Sequence, residues 1–210
     1  MKNSIILFAA LLIISFTSCN KKENTIVKRV TDSISVKSVK KSNKIEYNSS
    51  TINEVTANKL KEFISANYLK PEDLKILEPN DRKFSFYEID LNSDNKVEYF
   101  VNLQGNYFRG SGGGTFLLLS NDMKIIDNFT VMNEPIFRSN QKTNGWNDII
   151  LIGDYDENGG AKNFLHLKYD KEKRKYPSNP SLIKKIKMAP SGSDFSMWNK
   201  EFSMAKVFEF

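Results

Sequence analysis

The densest run of potential oxygen ligands in the chain is Asp90-Leu91-Asn92-Ser93-Asp94-Asn95-Lys96-Val97-Glu98. Side-chain oxygens at alternate positions (Asp90, Asn92, Asp94), the backbone carbonyl of Lys96 and the Glu98 carboxylate can wrap one hard cation. Calcium accepts about six to eight such oxygens at irregular angles, which makes Ca²⁺ the candidate cofactor. The competing reading is an Asx-rich turn, because Asn and Asp populate tight turns for conformational reasons alone. A second stretch, Asp154-Tyr155-Asp156-Glu157-Asn158-Gly159-Gly160, repeats the opening of the pattern but places Lys162 at the ninth position. A cation there opposes a metal, so a plain turn is the better reading of the second loop.

The spacing D-x-N-x-D-x-x-x-E between two strand-like segments resembles the calcium loops of strand–loop–strand repeats such as the FG-GAP type. The resemblance implies weak calcium binding, in the range of about 10⁻⁴–10⁻³ M typical of extracellular modules. The EF-hand pattern does not fit. Its sixth position takes Gly where this chain has Asn95, which tolerates the left-handed region, and its twelfth takes Glu where this chain has Val101. The two acidic stretches align at Asp90/Asp154, Asn92/Asp156, Asp94/Asn158 and Phe100/Phe164, a hint of an internal repeat with too few copies for a propeller.

Other candidates carry less chemistry. Gly110-Ser111-Gly112-Gly113-Gly114 leads into the strand-like Thr115–Leu119 rather than a helix N-terminus, so a phosphate cradle is not expected and a hairpin or bulge is. Tyr107, Phe108 and Arg109 beside it, with Trp146, form a candidate recognition surface for a protein or glycan; for Trp146 a core anchor is the alternative reading. His166 alternates with Leu165 and Leu167 and has no G-x-S-x-G elbow to serve as base, so a structural role is expected. A single histidine and a single cysteine exclude His-pair and multi-Cys metal sites and an intrachain disulfide. Pairs of carboxylates, the chemistry of glycoside hydrolysis, leave no signature in sequence and remain the alternative.

These residues need a frame. Thr51-Ile52-Asn53-Glu54 fits a capping box, and Ile52, Val55, Leu60, Phe63 and Ile64 recur at helical spacing, predicting a helix over about 52–67 that closes before Pro71. Beyond Leu74 the pattern is strand-like. Lys83–Asp90, Val97–Leu103 and Phe164–Tyr169 alternate, Phe116–Leu119 and Ile149–Ile152 are continuous apolar runs, and Lys206–Phe210 reads as a final edge strand. Asn, Asp and Gly mark the breaks between them. The expected fold class is α+β, mainly β: an antiparallel meander sheet with one N-terminal helix packed on it, spanning 51–210. Together with Asn144-Gly145-Trp146-Asn147-Asp148, the acidic loop and the glycine turn resemble a pattern in small cell-envelope domains over about 84–170, a likeness that brings no activity with it.

The first twenty residues point to the compartment. Lys2 precedes ten apolar residues, Ile5–Ile14, the length of a signal-peptide core and short of the ~20 a spanning helix needs. Ser15-Phe16-Thr17-Ser18-Cys19 follows and resembles the lipobox of bacterial lipoproteins, with Phe16 where Leu is usual. The resemblance implies cleavage after residue 18 and covalent lipid on Cys19. Asn20 is not the aspartate of inner-membrane retention, which points to the outer membrane, facing the periplasm. Residues 20–50 hold eight basic and three acidic side chains, net +5, whereas 51–210 hold 22 of each. The Ser, Asn, Thr and Lys of 20–50 predict a disordered basic tether, either simply solvated or beside anionic lipid or peptidoglycan, with no nucleic-acid partner. The expectation is a lipid-anchored envelope protein with a non-enzymatic binding domain, inhibitor- or immunity-like, stabilised by calcium. The alternative is a carboxylate-dependent hydrolase of cell-wall or glycan substrates.

Overall fold

The computed structural model describes residues 51–199 and 205–210. The leader, Cys19 and the basic tether lie outside the described residues.

Helix α1 (Glu54–Phe63) continues through a π-helical turn over Ile64–Tyr68. Its cap is Asn53, whose side-chain oxygen accepts from the Val55 and Thr56 amides at 3.1 and 3.3 Å. The cap falls there, rather than at Thr51, because the Asn53 amide group also donates to Glu88 at 3.0 Å, tying the helix start to the first strand. This start turns Thr56, Ala57, Leu60 and Ile64 inward and leaves Ile52 and Val55, expected on the inner face, exposed. A second helix, α2 (Pro71–Ile76), follows at once. Pro71 sits in its first turn, where a missing N–H loses no hydrogen bond, so the proline that ends one helix starts the next.

Ten strands follow: β1 (Lys83–Ile89), β2 (Glu98–Gln104), β3 (Arg109–Gly110), β4 (Gly113–Leu119), β5 (Ile125–Met132), β6 (Ile136–Thr143), β7 (Trp146–Tyr155), β8 (Ala161–Leu167), β9 (Phe195–Met197) and β10 (Val207–Glu209). The protein is α+β and mainly β, as its sequence pattern implies. The strands divide between two antiparallel sheets. Sheet one runs β10-β1-β2-β4-β3 with β5 also on β4, and sheet two runs β8-β7-β6-β9. The predicted edge strand at the end of the chain is β10, paired to β1 through Phe84↔Phe208.

Sheet one is the middle of three layers. Phe84, Phe86, Val101, Leu103, Leu117 and Leu119 pack with Ala57, Leu60 and Ile64 on the helix side. Their neighbours in sequence, including Tyr87, Ile89, Phe100, Phe116 and Leu118, pack with Ile149, Leu151, Leu165 and Leu167 of sheet two. Burial on both faces is why Phe116–Leu119 is continuously apolar although the sheet is antiparallel. Each fully buried Leu or Phe contributes about 1.5–3 kcal/mol relative to exposure. Asn144-Gly145, with φ of 54° and 86°, joins β6 to β7 across the Thr143↔Trp146 pair, as a two-residue primed turn requires.

Candidate functional site

The acidic loop connects β1 to β2, leaving the central sheet at Ile89 and returning at Glu98. Its shape is set by its own side chains. Asp90 Oδ1 accepts from the Asn92 and Ser93 amides at 3.2 and 2.6 Å, and Oδ2 accepts from Asn95 at 3.1 Å. Asn92 Oδ1 accepts from Asp94 at 2.8 Å, and Asp94 Oδ1 accepts from Lys96 at 2.8 Å. Ser93 and Asn95 take left-handed backbone at φ 61° and 64°, so Asn95 does what its type allows. The three alternate oxygen-bearing side chains thus curl the backbone around themselves.

Glu98 closes the ring from beneath. It is 3% exposed. One oxygen accepts from the Leu91 amide at 2.8 Å, and the other from Asn92 Nδ2 at 3.3 Å; the same Nδ2 lies 3.2 Å from Asp94 Oδ2. The Asn92 amide therefore stands between two carboxylates. Burial, reinforced by the negative charges of Asp90 and Asp94 and opposed by the Leu91 hydrogen bond, pushes the Glu98 carboxyl up to about 7. The residues expected to bind metal (Asp90, Asn92, Asp94, Lys96, Glu98) therefore share one loop. Among the described residues, no three His, Cys, Asp or Glu side chains are already gathered tightly enough to hold a metal ion.

The loop is also docked on sheet two. The Asn147 amide donates to the Leu91 carbonyl at 2.7 Å, and Lys142 Nζ donates to Ser93 Oγ. Trp146 stacks on Tyr169 at 4.4 Å and 10°, Tyr169 meets Tyr176 edge-on at 5.3 Å, and the Tyr176 hydroxyl donates to the Asn147 carbonyl at 2.7 Å. Burial, with the charges of Asp148 and Glu98 nearby, raises the Tyr176 hydroxyl far above its usual range. Trp146 is thus a half-buried packing anchor behind the loop, the alternative its sequence context left open.

The second acidic stretch is not a copy of the first. Asp154 stays within β7, held by Lys185 and by Asn163 at 3.0 Å, and these partners draw its carboxyl below the usual range. Asp156 closes a tight hairpin, accepting from the Asn158 and Gly160 amides at 2.9 and 2.8 Å. This is the plain turn that Lys162 argues for.

Of the recognition surface expected at Tyr107, Phe108 and Arg109, Phe108 is withdrawn into the core while Tyr107 and Arg109 stay exposed. Phe108 is 6% exposed and belongs to the core under the helix, because the chain after β2 folds back over Phe210 and the ring packs against it. Tyr107 remains part-exposed with its hydroxyl donating to Asp73 at 2.8 Å. Arg109 Nη2 donates to both carboxylate oxygens of Glu134, each contact 2.7 Å, and Nη1 donates to Asn133 Oδ1 at 3.2 Å. Asn133 in turn donates to the Gly112 carbonyl at 3.1 Å. The glycine loop is thereby a tied hairpin, Arg109↔Gly114 and Gly110↔Gly113. At Gly113, φ 138°, a Cβ would come within 2.8 Å of the Val131 backbone, so glycine lets β5 approach.

His166, 8% exposed, hydrogen-bonds through Nε2 to the Met188 carbonyl at 2.8 Å, a structural role. One structural residue has no sequence signal. Trp198 stands edge-on to Tyr87, Phe100 and Phe116 at 4.8–5.6 Å and donates from Nε1 to Ser85 Oγ at 2.8 Å. On the outer side of α1, an open depression of about 600 Å³ is lined by Asn58, Lys61, Glu62, Ser65 and Ala66, with Glu62 its one carboxylate. No helix among the described residues is long and apolar enough to cross a membrane.

No family model matches the chain, and no curated protein or solved structure matches it either.

Proposed function

We propose that this chain is a lipid-anchored cell-envelope protein, held through Cys19 at the outer membrane and facing the periplasm, whose two-sheet domain is a non-enzymatic binding module closed by calcium. The envelope half of the reading is supported by the order of Lys2, Ile5–Ile14 and the small residues before Cys19. The observation that carries the domain half is Glu98: a carboxylate 3% exposed, beside Asp90 and Asp94, with the amide of Asn92 as its polar bridge. Such a group favours either a proton or a cation. Asp90, Asn92, Asp94 and Glu98 side-chain oxygens with the Lys96 carbonyl would hold calcium. Bound there, the ion supplies positive charge and fixes the β1–β2 connection against sheet two.

The role fits proteins that act by contact, such as inhibitors or immunity proteins, a class assigned by analogy and location. Hydrolysis by paired carboxylates is the second reading, since Glu98 and Asp94 flank one amide nitrogen. Burial of Glu98 favours calcium over that use, because a general acid must face its substrate. Calorimetric titration of the chain with calcium is the test. Binding in the sub-millimolar to millimolar range, abolished in Glu98→Gln, supports the reading; no heat at millimolar calcium overturns it.

A further inference from the structure

The zero net charge of residues 51–210 conceals a division. Residues 51–160 hold 11 basic and 17 acidic side chains, and residues 161–210 hold 11 basic and 5 acidic. From Lys173 to Ser193 there are six basic residues and no acidic one. The fold gathers much of this charge on the outer edge of sheet two. There the chain around Ile186 lies along β8, with Phe164 and Ile186 exchanging backbone hydrogen bonds of 2.7 and 2.9 Å. Lys162 and Lys168 of the β8 segment are exposed, as are Lys184, Lys185 and Lys187 of the strip beside it. Lys185 pairs with Asp154. Among the described residues Lys184 and Lys187 form no ion pair.

The same strip presents large apolar side chains to solvent. Leu182 is 81% exposed, held out by a 3₁₀ turn whose Pro180 is buried beneath it, and Met188 at the other end is 47% exposed. Two exposed aliphatics flanking three lysines, two of them without an ion pair among the described residues, suit one environment in particular. At a bilayer surface the aliphatics enter the acyl boundary while lysine ammonium groups stay among the phosphates. A nucleic acid would satisfy the lysines alone, since the strip offers no aromatic ring for a base to stack on.

We infer that the β8 edge and the Leu182–Met188 strip form a membrane-docking surface for anionic phospholipid, so that the domain lies on the bilayer through this face. The inference rests on the envelope reading for its setting but not on the lipid for its contact. It makes the anchor the first of two attachments, as durable binding by a weak surface requires. Attraction falls off within about 10 Å at 0.1 M salt, so the anchor raises the occupancy of a contact that the free chain already makes with anionic lipid.

The test is site-resolved and uses the whole chain. Cys19→Ser removes the one cysteine and with it any lipid. An environment-sensitive fluorophore is then placed at Leu182→Cys or, as a control on the helix side of sheet one, at Ile76→Cys, which is 64% exposed. The probe is vesicles of equal parts phosphatidylglycerol and phosphatidylcholine, compared with phosphatidylcholine alone. A blue shift and quenching by nitroxide lipid at position 182, absent at 76 and dependent on phosphatidylglycerol, support the surface. Adding Lys184→Glu with Lys187→Glu should raise the lipid concentration for half-maximal response at 182 about tenfold or more, each basic residue near an anionic surface being worth about fivefold in partition. Equal responses at both positions, silence at 182, or indifference to the lysine changes overturns it. Finding Cys19 unmodified in the cell, with position 182 still responsive, would sink the anchor and leave the surface standing.

Discussion

Glu98 makes stability depend on pH in a direction opposite to that of ordinary surface carboxylates. Its carboxyl is raised from 4.5 to about 7 in the folded protein, chiefly by burial. The folded state therefore binds the proton more tightly than the unfolded chain between those values. Stability is greatest below about 4.5 and declines as pH rises toward and past 7, because the unfolded state then holds fewer protons. Each tenfold gain in proton affinity on folding is worth about 1.4 kcal/mol, so the loss across this window is about 3 kcal/mol for a group so fully buried. Urea denaturation between pH 5 and 8 in the presence of EDTA measures it. Asp127 and Asp148, also raised by burial, tilt the curve the same way, so the comparison with Glu98→Gln isolates the Glu98 share. Asp73, Asp122, Asp154 and Asp170, held low by their partners, act below about pH 4 and leave this window alone. Calcium should reverse the slope in the wild type, since metal displaces the proton, and should do nothing to Glu98→Gln. Parallel pH curves for the two proteins without calcium would refute the reasoning.

Four further outcomes are expected from the loop and the packing. Adding millimolar calcium should raise the melting temperature of the wild type and EDTA should return it, as binding to the folded state alone requires; equal melting temperatures would retire the ion. Asn53→Ala should cost about 1 kcal/mol or more in denaturant melts, through the lost cap and the Glu88 bond, whereas Thr51→Ala should be neutral. Phe108→Ala should cost about 3 kcal/mol and Tyr107→Phe less than about 1, the reverse of what a binding surface at both would give. Gly105→Ala should destabilise by more than about 1 kcal/mol, since φ is +100° and a Cβ there would sit 2.5 Å from the Asp81 Cα.

The β-rich class, the helix and most strands are legible in the sequence because alternation and turn residues report them locally. β1, β2, β4, β7, β8 and β10 each fall on a segment whose pattern declares a strand. β6 does not: past Ser139 its side chains are mostly polar and exposed, and its register is set by the Asn144-Gly145 turn and pairing to β7. The division into two sheets is likewise non-local, since it depends on which face of β1 each phenylalanine occupies. At the site, the alternating oxygens of Asp90, Asn92 and Asp94 are readable, and so is the preference for a plain turn at Asp156. The burial of Glu98 is not, nor the docking of Leu91 on Asn147, because both arise from sheet two closing over the loop. Arg109 and Phe108 read as surface chemistry because nothing local reveals Glu134 and Phe210 as their partners.

The intact mass of the protein purified from the membranes of its own cells tests the anchoring claim most directly. The expected species is a chain beginning at Cys19 and carrying a diacylglyceryl group on sulfur with a further acyl chain on the amine. A free thiol at Cys19 with residues 1–18 still attached would contradict it.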